Sequence, residues 1–548
     1  MTPGVEAHAL RIERDQPYAR PRWSGPPQAV YVDVAGCRAV LSELAQPCFV
    51  VRIDGQIGLT NAGQAGQGGG PVEGELLGWL PPSLPEHLGA AAFRATHGLR
   101  YAYMAGAMAN GIASAELVLA LGKAGMLGSF GAAGLVPSVI EATIARIQAE
   151  LPHGPYAFNL IHSPSEEALE RHAVELYLRH GVRTVEASAF LSLTSHIVAY
   201  RVAGLRRQPD GTIHADNRVI AKISRREVAE PFMRPAPPAL LQPLVAAGVI
   251  TPLQAELAAH IPMADDITVE ADSGGHTDNR PLVCLLPSIL ALRDAIQAEQ
   301  GYPDIVRVGA GGGIGTPEAA LGALMMGAAY LVTGSINQAC VEAGASAHTR
   351  KLLAEAGMAD VTMAPAADMF ELGVKLQVLK RGTFFPMRAQ KLYELYQKYD
   401  SLDAISAPER EQLERQIFRQ PIEAIWEETE RFFAARDPAQ LQRAADNPRR
   451  KMALVFRWYL GLSSRWSNSG EAGRELDYQI WCGPAMGAFN DWVRGTYLEP
   501  YTARRVADVG VQMMTGAAYL ARLQQLQAYG IALPGALTGY RPDQRGIL

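Results

Sequence analysis

Between residues 99 and 357 short apolar segments alternate with stretches of helical periodicity, the order expected of βα units around a parallel sheet. Eight segments read as strands: YAYMAGA (101–107), MLGSFGA (126–132), YAFNLIH (156–162), VRTVEAS (182–188), RVIAKIS (218–224), ITVEADS (267–273), IVRVGAG (305–311) and AYLVTGS (329–335). Eight is the number that closes a (β/α)8, or TIM, barrel. Helical patterns fall between them at 114–125, 137–151, 164–181, 287–301 and 317–327, several opening with Ser or Thr before Pro or Glu, as helix starts do.

The pattern also divides the chain. Residues 1–25 read as a flexible tail and 26–98 as a small β-rich leader carrying AVYVDVA and PCFVVRIDGQIGL. The barrel is expected over 99–360. Its connection at 225–266 is long and rich in proline (MRPAPPALLQP), and it predicts a helical insertion over one barrel face, a lid or substrate wall. From 361 to 548 the pattern is mostly helical and charged, a C-terminal helical subdomain.

Composition narrows the class. With 548 residues, a formal net charge of −5 and 48% hydrophobic residues, the chain has the composition of a globular domain without the basic excess of a nucleic-acid binder. Five cysteines without a CxxC (Cys37, Cys48, Cys284, Cys340, Cys482) indicate neither a disulfide framework nor a cysteine zinc site. They fit a reducing, cytoplasmic setting. The charged N-terminus does not resemble a signal peptide, and the uncharged run 124–140 is broken by four glycines and a proline. No membrane span is expected.

VGAGGGIGTPEAALGALMMGAAYLVTGS (308–335) places five glycines within Gly309–Gly315, between the seventh strand and a helix. Loops after strands 7 and 8 of such a barrel commonly bind phosphate through backbone N–H groups. Glycine permits positive φ and leaves no Cβ in the way, so Gly311, Gly312 and Gly313 can form a concave donor surface, closed by Gly334 and Ser335. A Rossmann site is the rival. No GxGxxG can be laid on the run, because the third place falls on Ile314 or Thr316, and the acidic residue expected about 20 positions on is absent.

A second constellation, EADSGGHTDNRP (270–281), follows the sixth strand and places Ser273, Gly274, Gly275 and His276 at the barrel mouth. Imidazole exchanges protons near neutral pH, which suits a general acid or a hydrogen-bond partner to a redox cofactor. Met108, Asn110, Ser129, Asn159, His162, Glu186 and Lys222 lie at other strand ends. Each alone is a weak signal, since strand-end Asn and Ser often cap helices and Lys222 can pair with Glu186. No HExxH, GxSxG, Walker or paired-histidine pattern occurs, so no metal site is expected.

MAGAMANGIAS (104–114), GSFGAAGL (128–135), EADSGGHTDNRP and GAGGGIGTPEAALGALMMGAAYLVTGSINQACVEAG (309–344) resemble the flavin-dependent enoyl reductases that accompany polyunsaturated fatty acid synthases and trans-acyltransferase polyketide synthases, relatives of nitronate monooxygenase. The resemblance extends through RGTFFPMRAQKLYELY (381–396) and the tryptophan-rich tail. It implies FMN, with its phosphate on Gly312, Gly313, Gly334 and Ser335 and its ring near Gly106, Ala107, Met108 and Asn159. Lys222, Ser273, Gly274, Gly275 and Gly311 complete the implied cofactor site, and His276 matches the family's active-site histidine. The implied reaction reduces a 2,3-enoyl thioester on an acyl carrier protein, with NADPH or NADH as hydride donor. An acidic carrier protein would meet a basic patch, for which Arg225-Arg226, Arg449-Arg450-Lys451 and Arg504-Arg505 are candidates. A homodimer is compatible with the barrel, and oligomeric state is left open. The alternatives are a nitronate monooxygenase-like FMN oxidase, a silent docking protein, and a nucleotide-binding barrel with a catalytic cysteine, for which Cys284 is poorly placed.

Overall fold

All eight expected strands pair in parallel into one closed barrel in the computed structural model, which describes residues 10–12, 21–66, 73–163 and 167–542. The strands are β1 Tyr103–Ala105, β2 Leu127–Phe130, β3 Ala157–Ile161, β4 Thr184–Ser188, β5 Arg218–Ile223, β6 Asp266–Glu270, β7 Arg307–Gly311 and β8 Leu331–Thr333. Seven helices follow the first seven strands: α1 Ala115–Lys123, α2 Pro137–Glu150, α3 Glu167–Arg179, α4 Ser195–Val202, α5 Arg226–Met233, α6 Leu282–Gln300 and α7 Pro317–Met325. Ser114, Thr194 and Thr316 cap α1, α4 and α7 by accepting backbone N–H bonds, as their place before each helix predicts.

The eighth helix corrects the expected boundary at residue 360. It is α8, Val506–Ala528, which packs between α7 and α1 and closes the ring from far along the chain. Sixteen of its residues are buried, because it touches barrel, leader and C-terminal segments at once. A Cβ on Gly510 would stand 2.7 Å from Met126 Sδ and 3.1 Å from the Tyr103 ring. Arg522, also buried, donates to the carbonyls of Leu41, Glu43, Leu44 and Gln46, capping the end of helix Val34–Ser42 and tying α8 to the leader.

The leader is a five-stranded antiparallel sheet. Residues 1–9 and 13–20 of the expected tail, 67–72 of the leader and 164–166 of the expected third helix lie outside the described residues. Arg22–Ser24, placed in the tail by sequence, is instead a sheet strand whose Trp23 is fully buried against Phe49, Val51 and Leu76. A second core, built around Phe370, Phe385, Leu392, Phe418 and Phe456, holds the helices between residues 385 and 469.

The insertion does not cover the mouth. Its helices Pro238–Ala246 and Pro252–Ala258 follow the end of α5, and helices of a barrel run back toward the N-terminal ends of the strands. Ala264 N donates to Phe232 O, and Arg201 pairs with Asp265 at the start of β6. A cleft of about 640 Å³ between Pro235, Leu241, Val245 and Ala255 belongs to this flank, remote from the mouth. The expectation of a lid over 225–266 is therefore corrected. Among the described residues no helix is long and apolar enough to cross a membrane.

Candidate active site

The barrel interior is layered by the two-residue period of its strands. Met104, Leu127, Ala157, Ile220, Tyr330 and Val332 form one buried apolar cluster with Phe93, which stacks on Tyr330 at 3.9 Å. Two residues further along the first four strands of this set, toward the C-terminal end, stand Gly106, Ser129, Asn159 and Lys222. Glu186 of β4 and Glu270 of β6 join this polar layer. Residues that are weak signals singly in the sequence are thus brought together by strand parity.

The layer is only partly satisfied internally. Asn159 Nδ2 donates to Glu186 O and Ser188 Oγ, and Glu186 Oε2 accepts from Ala107 N at 2.7 Å. Glu186 Oε1 and Ser129 Oγ, both on side chains with 0% exposure, have no partner among the described residues. Lys222 pairs with Glu270 at 3.0 Å, not with Glu186 as its spacing suggested. Burial works against its charge, but the carboxylates of Glu270 and Glu186 outweigh that cost and raise its pKa.

The glycine loop is bare in the expected place. Gly312 and Gly313 adopt φ of +85° and +72°, and a Cβ on Gly313 or Gly334 would meet no atom within 4 Å. Among the described residues the amides of Gly312, Gly313 and Gly334 find no acceptor. Gly311 sits in β7 against Thr268 and Val332. Ser335 Oγ accepts from Gly483 N at 3.0 Å, leaving its own proton free to donate. Three amides without acceptors and a hydroxyl, at the ends of the neighbouring strands β7 and β8, suit an anion such as a phosphate.

His276 lies on the two-residue strand Gly275–His276, paired antiparallel with Leu376 and Gln377 of strand Lys375–Leu379. Its Nε2 faces Asp368 Oδ1 at 3.1 Å, and its side chain is 45% exposed. Desolvation pulls its pKa down, but Asp368, followed by Glu270, more than offsets this and raises it. Gln377 donates to Asp272 Oδ1 and Ser273 O, fixing the loop. A Cβ on Gly274 would stand 2.8 Å from Cys482 N, so this glycine serves the close approach of the 481–483 segment. The C-terminal region therefore shapes the mouth. Asp368, Gln377 and Glu270 escape a reading of the sequence, because the first two lie about a hundred residues from His276 and carry no motif.

Other expected residues are spent elsewhere. His162 is bound to Glu170, itself bonded to Thr194, and stacks on Phe190. Asn110 donates to Ser464 Oγ and holds the first loop to helix Pro448–Ser469. Met108 is half-buried at the rim. Of the basic clusters, Arg504 is buried and bonds the carbonyls of Leu498 and Glu499, which removes it as a docking residue. Arg225 is paired with Asp278, and Arg449 and Arg450 with Asp400 and Glu371.

The enoyl reductase domain of MlnA, from the macrolactin biosynthesis cluster of Bacillus amyloliquefaciens, superposes with a TM-score of 0.77 at 40% identity, covering 80% of this chain and 100% of that one. The chain belongs to this enoyl reductase family. Relatives in the wider set include a polyunsaturated fatty acid synthase polypeptide of Thraustochytrium, 49% identical over 96% of this chain, and the polyketide biosynthesis protein PksE of Bacillus subtilis, 49% identical over 79%. The chain spans only 35% and 56% of those curated relatives. Residues 23–82 match the N-terminal domain of fatty acid synthase subunit PfaD, and 399–478 match the inserted helical domain of [acyl-carrier-protein] S-malonyltransferase. Within the enoyl reductase family, then, the leader and the helices beside the mouth are recognisable units.

Proposed function

We propose that the chain is a trans-acting, FMN-dependent enoyl reductase that reduces the 2,3-double bond of enoyl thioesters on acyl carrier proteins in polyketide or polyunsaturated fatty acid synthesis. The observation that carries this reading is the full coverage of the MlnA enoyl reductase domain at 40% identity. The mouth fits FMN on its own chemistry. The unpaired amides of Gly312, Gly313 and Gly334 with the Ser335 hydroxyl would hold the phosphate, and Gly106, Ala107, Met108, Asn159 and Lys222 would border the ring. The chemistry supplied by bound FMN is hydride relay from NAD(P)H to the β-carbon of the enoyl thioester.

The chain's own part is placement and proton supply. Asp368 takes the Nε2–H of His276, which leaves Nδ1 as the free ring nitrogen. The raised pKa keeps a proton there nearer neutral pH. His276 thus delivers a proton from Nδ1 to the α-carbon, or donates it to the thioester carbonyl. Lys222 stays cationic beside the ring site and favours negative charge accumulating there.

The test is anaerobic turnover of NADPH with a 2,3-enoyl thioester of a carrier protein, read by mass spectrometry of the acyl group. Appearance of the saturated product supports the reductase. Turnover only with a nitronate and oxygen would replace it with the oxidase reading.

A further inference from the structure

Glu186 is a carboxylate whose position the structural bonds do not explain. It lies on β4 in the polar layer, with 0% exposure. One oxygen, Oε2, is used by Ala107 N. The other, Oε1, has no partner among the described residues and lies beside Gly106, where a Cβ would stand 3.4 Å from it. A buried acceptor left without a donor is destabilising. Lys222 on the adjoining strand is committed to Glu270 rather than to this oxygen.

The oxygen therefore calls for an N–H or O–H donor arriving from the mouth. The groups about it define the donor's surroundings. The Lys222 ammonium on the adjoining strand β5, and Ser129 Oγ on β2, also unpartnered and separated from β4 by Asn159 of β3, are donors with spare capacity on either side of Glu186 in strand order. An acceptor between two donors complements an imide edge, carbonyl, N–H, carbonyl. The pyrimidine edge of an isoalloxazine presents that sequence through C2=O, N3–H and C4=O.

We infer that Glu186 is a cofactor-positioning residue, its Oε1 accepting the flavin N3–H and so fixing which edge of the ring enters the barrel. This rests on the FMN reading above. The same carboxylate places negative charge beside the pyrimidine edge and lowers the reduction potential of the bound ring relative to a neutral side chain. The size-matched amide of Glu186→Gln keeps the bond to Ala107 through its oxygen and turns its NH2 toward another donor.

The test uses the full chain stripped of cofactor and titrated with FMN and with 3-methyl-FMN, which lacks the N3 proton. Wild type is expected to bind 3-methyl-FMN at least about tenfold more weakly than FMN. Glu186→Gln is expected to lose about tenfold in FMN affinity, to shift the midpoint potential upward and to move the N3–H resonance of 15N-labelled FMN upfield. Equal affinities of wild type for the two flavins, or an N3–H resonance and potential unchanged in a folded Glu186→Gln protein, would overturn the assignment. The wild-type comparison needs no variant to fold. Failure of wild type to bind FMN at all would instead remove the cofactor reading itself.

Discussion

At the N-terminal end of the barrel Asp266 accepts from Arg307 at 2.6 and 2.9 Å and from His97 at 2.8 Å. All three side chains are at most 9% exposed. At the C-terminal end, four residues along β6, Glu270 shares a polar layer in which Glu186 Oε1, Ser129 Oγ and three glycine amides have no partner among the described residues. Both ends bury carboxylates and cations. One end is closed by mutual satisfaction and serves stability; the other keeps spare bonds and serves a ligand. Buried polar groups are expected to be paired, so the place where the rule lapses is informative.

The contrast can be broken most forcibly at the closed end. Asp266→Ala strands a guanidinium and an imidazole in the core and is expected to cost about 3–5 kcal/mol, read as a large fall in the thermal midpoint. Glu186→Gln at the open end should leave that midpoint nearly unchanged. At the mouth, His276→Ala is expected to retain yellow flavin while kcat falls by roughly 100-fold or more. Undiminished turnover would take His276 out of the mechanism.

A smaller effect sharpens its role. Asp368 raises the His276 pKa against the opposing effect of desolvation. A proton donor loses activity as pH rises through its pKa, so Asp368→Asn, by lowering that pKa, should move the falling alkaline limb of the pH–rate profile to lower pH. Gly334→Ala is sterically free within the protein and has φ of −130°. It should weaken FMN by about tenfold while barely changing stability. The smallest effect belongs to the insertion: Val249→Ser, at 54% exposure, should leave kcat and KM within about twofold, as a surface site far from the mouth would.

The barrel was legible because period-two strands and helical connections alternate strictly, and the glycine loop because five bare residues in one stretch mark close approach. Gly309, Gly312 and Gly315 serve the approach of Tyr330, Ala271 and Ala485, and Gly313 alone of the five has room for a Cβ that meets no protein atom within 4 Å. Strand parity also placed Ser129, Asn159, Glu186 and Lys222 in one layer. What escaped depended on distance along the chain. Nothing local in VADVGVQMMTGAAYLARLQQL marks it as the eighth barrel helix, and AADMF gives no sign that Asp368 reaches His276. Lys222 pairs with Glu270 rather than Glu186 because carboxylates stand on both neighbouring strands, a choice that sequence cannot make. The length and proline content of the 225–266 connection do not show which barrel face it occupies; that is set by its following the end of α5, which runs toward the N-terminal ends of the strands.

The central claim is that the bare amides of Gly312, Gly313 and Gly334 hold the anionic end of a flavin. It is tested most directly by titrating the cofactor-free protein with FMN and with riboflavin, which differ only in the phosphate. Charged hydrogen bonds to several amides, each worth roughly 1.5–3 kcal/mol, predict FMN bound at least about 100-fold more tightly. Equal affinity for the two would contradict the account.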